Sequence, residues 1–252
     1  MLALTHIPSP RMADCLLTFV ERSAIDYERA LRQHAGYCDV LRDCGAEVRT
    51  LDVNRDLPDC TFIEDTAVVL DEVAIIARPG AAARREETAA IERELRKSRD
   101  VEQIPAPATL EGGDVLRVGR VLLVGLSSRT SSAGAEALDA VAHRFGYSVR
   151  AVPVNGCLHL KTACTALPDH RLLVNPAWID VAALRDFDVI AVPAAESFGA
   201  NVACLAEHVV AAAEHRETAD LIRRMGYNLC VVELDEFAKA EGGVTCLSLL
   251  VA

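Results

Sequence analysis

The 252-residue sequence lacks any long hydrophobic run, and its apolar stretches are as short as Val121–Val124 and Val209–Ala213. Stretches of this length are far too short to cross a bilayer. The N-terminus also lacks the charged segment, followed by a long apolar one, that is typical of a secretory signal. We therefore expect a soluble, cytoplasmic protein with no membrane partner.

Positive charge is scarce, because 26 Lys and Arg residues face 37 Asp and Glu residues and leave a net charge of −11. A chain with this balance repels phosphate backbones unless basic residues are concentrated in one patch, and the sequence shows no such patch. We expect no nucleic-acid partner. An apolar content of 51% supports a full core, and we treat residues 1–252 as a single domain.

The sequence also has no pair of cysteines in a C-x-x-C arrangement, although it contains nine cysteines. Zinc sites and redox dithiols usually depend on such pairs. An odd number of scattered cysteines favours a reducing compartment, in which most of them act as small buried apolar residues. Cys246 is the one for which we make a separate case.

A repeat organises the chain. Three times, a pattern of helical apolar spacing stops at a glycine and an alternating apolar strand follows, beginning at Gly45, Gly146 and Gly226. A tight apolar hairpin recurs at intervals of roughly 40 to 50 residues, a period typical of repeat arrays. The hairpins span Ala67–Ile76, Val115–Val124, Ala166–Val174 and Val202–Val210.

A fifth unit can be assembled from the C-terminal strand Thr245–Val251 and the N-terminal strand Leu2–Ile7. The two ends of the chain would then meet and close the array into a ring. Five ββαβ units in a ring form an α/β propeller, with the helices outside and the first strands near the axis. The alternative is an ordinary open α/β sheet.

Unusual polar residues gather where each first strand starts, and a ring would bring these five points together on its axis. A purely structural repeat has no reason to place acids, an imidazole and a thiol there. The five segments are Glu64–Asp65, Glu111–Asp114, His159–Lys161, Ser197–Asn201 and Gly242–Cys246.

This cluster predicts a nucleophilic thiol. A cysteine attacks only as thiolate and needs a basic or positive neighbour, for which His159 is the candidate partner of Cys246. Nearby carboxylates oppose thiolate formation, which suggests a cationic substrate that supplies the missing charge. A guanidinium fits, since its forked donors pair with carboxylates such as Asp65 and Glu111. The alternatives are a core histidine and, for Asp114, a simple turn residue.

Two arginines, Arg84 and Arg129, stand between a hairpin and the helix that follows it. Both could hold a carboxylate, although arginines near helix starts are usually solvated. Together with the acids, they suggest an amino acid that is bound at both ends.

Over nearly its whole length the sequence resembles the dimethylarginine dimethylaminohydrolases, within the superfamily that also contains arginine deiminases and amidinotransferases. Several separate motifs, in the right order, carry the resemblance. They are Leu57–Asp65, Ile76–Gly80 with Arg84 and Arg85, Thr109–Val115, Val124–Thr130, Leu158–Lys161 and Gly242–Cys246.

The resemblance implies the five-fold pseudosymmetric α/β propeller, or pentein fold, and a set of residue roles. Cys246 would be the nucleophile, His159 the general acid and then base, and Glu111 the acid that orients the guanidinium. The other implied substrate contacts are Asp65 at the guanidinium, Asp59 and Glu64 at the α-amino group, Arg84 and Arg129 at the α-carboxylate, Phe62 and Thr245 as walls, and Leu17 as a lid.

The implied reaction is hydrolysis of dimethylarginine or monomethylarginine to citrulline through a covalent thiouronium on Cys246, with no metal and no cofactor. One position separates this activity from that of the arginine deiminases. As that family is known, it carries an aspartate two residues after the histidine, where this chain has Lys161. A dimethylated nitrogen has no N–H to offer such a carboxylate, so Lys161 favours a methylated substrate.

Two other hypotheses about the function stay open. The chain could hydrolyse arginine or another substituted arginine, in the manner of an arginine deiminase. Five-fold α/β propellers also occur as ribosome-binding factors without catalysis, which the acidic charge balance does not favour. An exposed propeller edge could pair two copies of the chain, so a homodimer is a further expectation.

Overall fold

The computed structural model describes residues 1–251, which form five sheets of three strands each. In every sheet the first strand is antiparallel to the second, and the second is parallel to the third. The strands are Leu2–His6 (β1), Glu47–Leu51 (β2), Ala67–Val69 (β3), Val73–Ile76 (β4), Asp100–Gln103 (β5), Val115–Val118 (β6), Val121–Leu126 (β7), Ser148–Pro153 (β8), Cys164–Ala166 (β9), Leu172–Val174 (β10), Val189–Ala191 (β11), Val202–Leu205 (β12), His208–Ala212 (β13), Asn228–Val232 (β14) and Ser248–Val251 (β15).

Six α-helices accompany these strands, and four of the five sheets have one between their second and third strands. The sheet β9–β10–β11 has only a 3₁₀ turn at Val181–Leu184 in that place. None of the helices within residues 1–251 has the length and apolarity needed to cross a membrane. The helices are Tyr27–Asp43 (α1), Thr88–Leu95 (α2), Ser132–Ala142 (α3), Leu160–Ala163 (α4), Arg216–Arg224 (α5) and Asp235–Ala238 (α6).

The fifth unit forms as predicted from the two ends of the chain. Strand β1 pairs antiparallel with β15, with Leu2 opposite Val251, and parallel with β2, with Leu2 opposite Glu47. The four predicted hairpins are also present as β3–β4, β6–β7, β9–β10 and β12–β13. The repeat inferred from spacing is therefore confirmed.

The glycines of the repeat end their helices for a backbone reason. Gly45, Gly146 and Gly226 have φ angles of +86°, +79° and +87°. This left-handed conformation is strained for a residue with a Cβ atom, so glycine is favoured where the chain turns from a helix into the next strand. Asp26 starts α1 by accepting a hydrogen bond from the backbone N–H of Arg29 at 3.0 Å.

The apolar residues form five clusters rather than one central core. Each cluster lies between two neighbouring sheets. One of them joins the sheet of β15, β1 and β2 to the sheet of β12, β13 and β14, so the first and last units of the ring are in contact. Every sheet therefore packs against another sheet on both of its sides, as a closed ring requires, whereas helices cover the faces of an open α/β sheet. The molecule is a five-fold pseudosymmetric α/β propeller, and the open-sheet alternative is wrong.

Candidate active site

Four of the five predicted polar segments lie in or beside short helical turns that precede the first strands, and Ser197–Asn201 lies in a non-helical turn. The 3₁₀ turn Ile63–Thr66 contacts the turns Gly112–Asp114 and Thr245–Leu247, and α4 contacts the turn Gly112–Asp114. Because the first strands converge on the axis, these turns meet above them. The acids, the imidazole and the thiol are thus brought together from positions up to 182 residues apart, the separation of Glu64 and Cys246.

His159 is the centre of this cluster and is buried. Its Nε2 lies 2.7 Å from Glu111 Oε2, and its Nδ1 lies 3.7 Å from Asp65 Oδ1. Gly113 permits this approach, since a Cβ atom there would lie 2.6 Å from Asp65 Oδ1 and 2.7 Å from His159 Nδ1. His159 is thus buried and hydrogen-bonded, as a core histidine would be, but carboxylates face both of its ring nitrogens and its side chain lines the cavity described below.

Asp114 has a supporting position. Its Oδ1 accepts the backbone N–H of Leu160 at 2.9 Å, and its Oδ2 accepts the hydroxyl of Ser127 at 2.6 Å. Leu160 directly follows His159, so Asp114 fixes the backbone from which the imidazole projects. This carboxylate is more than a turn residue, although it does not line the catalytic cavity described below.

The carboxylates keep His159 protonated. Burial of the ring lowers its pKa, but the negative charges of Asp65 and Asp114 and the hydrogen bond to Glu111 outweigh burial and raise the pKa to about 9. Burial of Glu111 opposes its ionisation, but its contact with His159 and the charges of Arg84 and Arg129 lower its pKa. The pair is therefore an imidazolium and a carboxylate at neutral pH, as a general acid requires.

Cys246 is a neutral thiol in the resting protein. Burial, with the nearby negative charges of Glu64 and Asp65, raises the pKa of this thiol to about 12. Its Sγ accepts a hydrogen bond from the backbone N–H of Gly243 at 3.4 Å. A bound cation would lower the energy of the thiolate, as the sequence predicted from the carboxylates around it.

The raised pKa of His159 predicts how stability depends on pH. The protonated form is favoured in the folded state, so its contribution to the free energy of unfolding is complete below pH 6.5, the ordinary pKa of histidine, and is lost as pH rises through about 9. The full loss is about 3 kcal/mol, since each pKa unit corresponds to ~1.4 kcal/mol. Urea unfolding at several pH values between 6 and 9.5 measures it. A His159→Gln variant should lack this decline, and equal slopes in both proteins would contradict the assignment.

The catalytic cavity is small, about 20 Å³, which is room for about one water molecule. Most of the predicted catalytic and substrate-binding side chains line it. These are Asp59, Phe62, Asp65, Arg84, Arg129, His159 and Cys246. Four further residues that the sequence reasoning missed complete the wall, namely Leu16, Leu158, Ala240 and Glu241.

The two predicted arginines are buried rather than solvated, and their surroundings differ. Arg84 donates to Asp65 at 2.6 Å and to both oxygens of Glu87, at 3.0 and 2.8 Å. Its guanidinium is thus already occupied by carboxylates of the protein. Arg129 lies 3.5 Å from Glu111 and donates to the hydroxyl of Thr18 at 3.2 Å. Of the two, Arg129 has more donor capacity left for a carboxylate.

Glu64 and Thr245 lie elsewhere than the sequence reasoning expected. They line a second cavity of about 510 Å³, to which all five first strands contribute. There Glu64 pairs with Lys161 at 2.5 Å and accepts the hydroxyl of Thr245 at 2.7 Å. Neither residue lines the catalytic cavity. Leu17 also lies off the catalytic cavity and packs against the apolar cluster beneath it.

Three of these side chains could hold a metal ion. One ligand atom each from Asp65, Glu111 and His159 lies within 4.8 Å of the others. The 2.7 Å hydrogen bond between His159 and Glu111 satisfies the same atoms without a metal. The expectation that the reaction needs no metal and no cofactor stays a prediction.

Comparison with known proteins places this site in a family. The family model described as N,N dimethylarginine dimethylhydrolase, eukaryotic, matches residues 18–186. An N(G),N(G)-dimethylarginine dimethylaminohydrolase from Streptomyces coelicolor is 42% identical over 98% of this chain and 95% of its own length. The chain belongs to the dimethylarginine dimethylaminohydrolase family.

Solved structures of the same family superpose closely on the chain. A crystal structure of a dimethylarginine dimethylaminohydrolase with histidine replaced by glycine, in adduct with S-methyl-L-thiocitrulline, has a TM-score of 0.93 and 34% identity, and the match covers 98% of both chains. The enzyme from Pseudomonas aeruginosa with cysteine replaced by serine, complexed with citrulline, has a TM-score of 0.91 and 34% identity, covering 98% of this chain and 97% of that one. The family resemblance drawn from the motifs is confirmed.

Two of the missed residues could have been suspected within the family motifs. Leu158 directly precedes His159, and Glu241 directly precedes Gly242. Both stand in or beside segments that the resemblance singled out, but neither side chain has chemistry that a sequence pattern marks as catalytic. Ala240 and Leu16 are small or apolar wall residues, which only the folded chain identifies.

Proposed function

We propose that this member of the dimethylarginine dimethylaminohydrolase family hydrolyses Nω,Nω-dimethyl-L-arginine to L-citrulline and dimethylamine, and Nω-monomethyl-L-arginine to L-citrulline and methylamine. The observation that carries the proposal is one cavity lined by Cys246, His159 and Asp65, with His159 held by Glu111 at 2.7 Å. A thiol, an imidazolium and two carboxylates suit a cationic guanidinium better than a neutral substrate.

The first chemical step forms a bond between Cys246 Sγ and the guanidinium carbon. The substrate cation enters beside Asp65, and its charge favours loss of the thiol proton to solvent. The thiolate then attacks the carbon, and the bond from the carbon to the methylated nitrogen breaks. His159 gives its proton to that nitrogen, so dimethylamine or methylamine leaves and a thiouronium remains on the sulfur.

The second step returns the enzyme to its starting state. His159, now neutral, takes a proton from a water molecule as that water attacks the thiouronium carbon. The carbon–sulfur bond breaks, the hydroxyl proton of the tetrahedral intermediate passes to the sulfur, and citrulline leaves with the thiol of Cys246 restored. The charge of Glu111 stabilises the imidazolium that forms again on His159.

We also propose how the amino-acid end of the substrate is held. Asp59 lies on the cavity and suits the α-ammonium group, while Arg129 suits the α-carboxylate. Arg84 would act there only by sharing its guanidinium with Asp65 and Glu87, so we assign it chiefly to fixing Asp65. Phe62 forms a wall, and Leu17 belongs to the segment that covers the cavity. Glu64 could contact substrate only after its ion pair with Lys161 rearranges, and Thr245 only after its hydrogen bond to Glu64 does.

Lys161 supports a methylated substrate. Its ammonium pairs with Glu64 in the second cavity, so no carboxylate reaches the guanidinium pocket from this position. A carboxylate at the position of Lys161 would accept a hydrogen bond from the terminal nitrogen of unmethylated arginine and strengthen its binding. The dimethylated nitrogen has no N–H to donate to such a carboxylate. The observation thus disfavours the arginine deiminase reading.

Citrulline release from dimethylarginine, monomethylarginine and arginine, assayed side by side, tests the substrate assignment. We expect kcat/KM for the methylated substrates to exceed that for arginine by at least about tenfold, the scale of a missing polar contact. Turnover confined to arginine would contradict the proposal. If citrulline is released from none of the three substrates, the result would favour the hypothesis of a ribosome-binding factor without catalysis.

Other expectations from the sequence remain proposals. We propose a cytoplasmic location, which the free state of all nine cysteines supports. A homodimer through an exposed propeller edge is likewise a proposal, and sedimentation of the purified protein would test it.

A further inference from the structure

The segment from Leu16 to Val20 covers the catalytic cavity and is held by three side chains. The backbone N–H of Leu16 donates to both oxygens of Asp59, at 3.2 and 3.3 Å. Arg129 donates to the hydroxyl of Thr18. Glu241 Oε1 accepts the backbone N–H groups of Thr18 at 2.8 Å, of Phe19 and of Val20 at 2.6 Å. We refer to residues 16–20 as the cover segment.

The cover segment must move for the enzyme to work. The cavity of about 20 Å³ has room for about one water molecule, far less than an amino acid needs. Leu16 is part of its wall, so displacement of this segment is a direct route by which substrate can enter. The anchors of the segment therefore control access to Cys246.

Two of the three anchors have another task in the proposed reaction. Asp59 and Arg129 are the groups that we assign to the α-ammonium and α-carboxylate of the substrate, so a bound substrate competes for the same atoms. Glu241 has no such assignment. It is the anchor that can keep the cover segment closed while substrate occupies the other two.

We propose that Glu241 is a positioning residue that latches the cover segment over bound substrate. This inference rests on the proposed function for its kinetic consequence, but not for the contact itself. Glu241 lies in the turn that carries the nucleophile, since Gly243 donates its N–H to Cys246 Sγ. The latch therefore joins the cover segment to the nucleophile turn, across 221 to 223 residues of sequence.

Two features of Glu241 oppose closure of the cover segment. Glu241 has a φ angle of +60°, a left-handed conformation that is costly for a residue with a side chain. Its Oε2 is buried and has no hydrogen-bond partner among residues 1–251. A buried, unpaired carboxylate oxygen favours an open form in which water can reach it. These two costs oppose the three hydrogen bonds that hold the cover segment closed.

Amide hydrogen exchange of the free protein tests the contact without any substrate. We expect Glu241→Gln to lower the protection of the Thr18, Phe19 and Val20 amides by at least about tenfold, because a neutral amide oxygen is a weaker acceptor than a carboxylate. Glu196→Gln is the matched control. Glu196 accepts the N–H groups of Glu217 and Thr218 at 2.9 and 2.8 Å, at the start of α5, and does not line the catalytic cavity.

Steady-state kinetics test the consequence. Loss of the latch lowers the closed fraction, so we expect KM for dimethylarginine to rise about five- to tenfold while kcat changes by less than about twofold. Glu241→Asp should behave like Glu241→Gln, because it keeps the charge but cannot reach the segment. Glu196→Gln should leave both kinetic constants unchanged.

The outcomes separate this inference from the proposed function. Wild-type protection of the three amides in both Glu241 variants would overturn the latch, whatever the enzyme hydrolyses. Lost protection with unchanged KM would also overturn it, since closing would then not contribute to substrate binding. A fall in kcat alone would indicate a direct role in the chemistry instead. Absence of any citrulline release by the wild-type protein would refute the proposed function and leave the exchange result valid.

Discussion

Replacement of Cys246 by serine is expected to lower kcat by about 10⁴-fold or more, the loss typical of removing a covalent nucleophile. A serine hydroxyl is much harder to ionise than a thiol, and the carboxylates that already raise the pKa of Cys246 to about 12 oppose an alkoxide further. Citrulline release from dimethylarginine measures the loss.

The same variant should keep the fold and the site. Serine is only slightly smaller than cysteine. The hydrogen bond that Cys246 Sγ accepts from the Gly243 N–H can also be accepted by a serine hydroxyl. The thermal midpoint should stay within a few degrees of the wild type, and citrulline should still bind. Substantial turnover by a folded Cys246→Ser protein would refute the nucleophile assignment.

Replacement of His159 by glycine is expected to lower turnover of dimethylarginine by about 10² to 10⁴-fold, since the amine loses its general acid and water loses its base. With S-methyl-L-thiocitrulline the first step should survive better, because methanethiol leaves without needing the imidazolium. The thiouronium on Cys246 should then accumulate. Intact-protein mass spectrometry should show a gain equal to the mass of the substrate minus methanethiol.

Two controls separate loss of the fold from loss of the catalytic group in this variant. Removing an imidazolium leaves Asp65 and Glu111 buried with less compensation, so a lowered thermal midpoint is expected and must be measured. His143→Gly, at an exposed position after α3, should form no lasting adduct and should keep full turnover. If the His159 variant hydrolyses dimethylarginine at the wild-type rate, His159 is not the acid and base.

Much of the fold could be predicted from spacing. The glycines at 45, 146 and 226 marked the ends of helices because a left-handed backbone favours glycine, and they have that conformation. The hairpins followed from short alternating apolar runs. The three glycine endings left two units without a predicted helix, and the structure has α2 in one of them and only the 3₁₀ turn Val181–Leu184 in the other.

The site was predicted in part. The repeat supplied the reason for Cys246, His159 and the acids to converge, and the resemblance supplied their roles. The engagement of Arg84 with Glu87 was missed, since a buried carboxylate three residues away looks like an ordinary helix-surface pair in a sequence. The placement of Glu64 and Thr245 with Lys161 was missed as well, because neighbouring residues such as Glu64 and Asp65 can face different cavities.

The sequence by itself determined the repeated hairpins, the helix-ending glycines and the family, because these depend on local periodicity, turn residues and motifs that are contiguous in the chain. Only the tertiary structure decided which carboxylate faces which cation, how small the closed cavity is, and that Glu241 holds residues 18–20. Those contacts join segments up to 223 residues apart. Their distances follow from how five sheets pack around one axis, which no local pattern specifies.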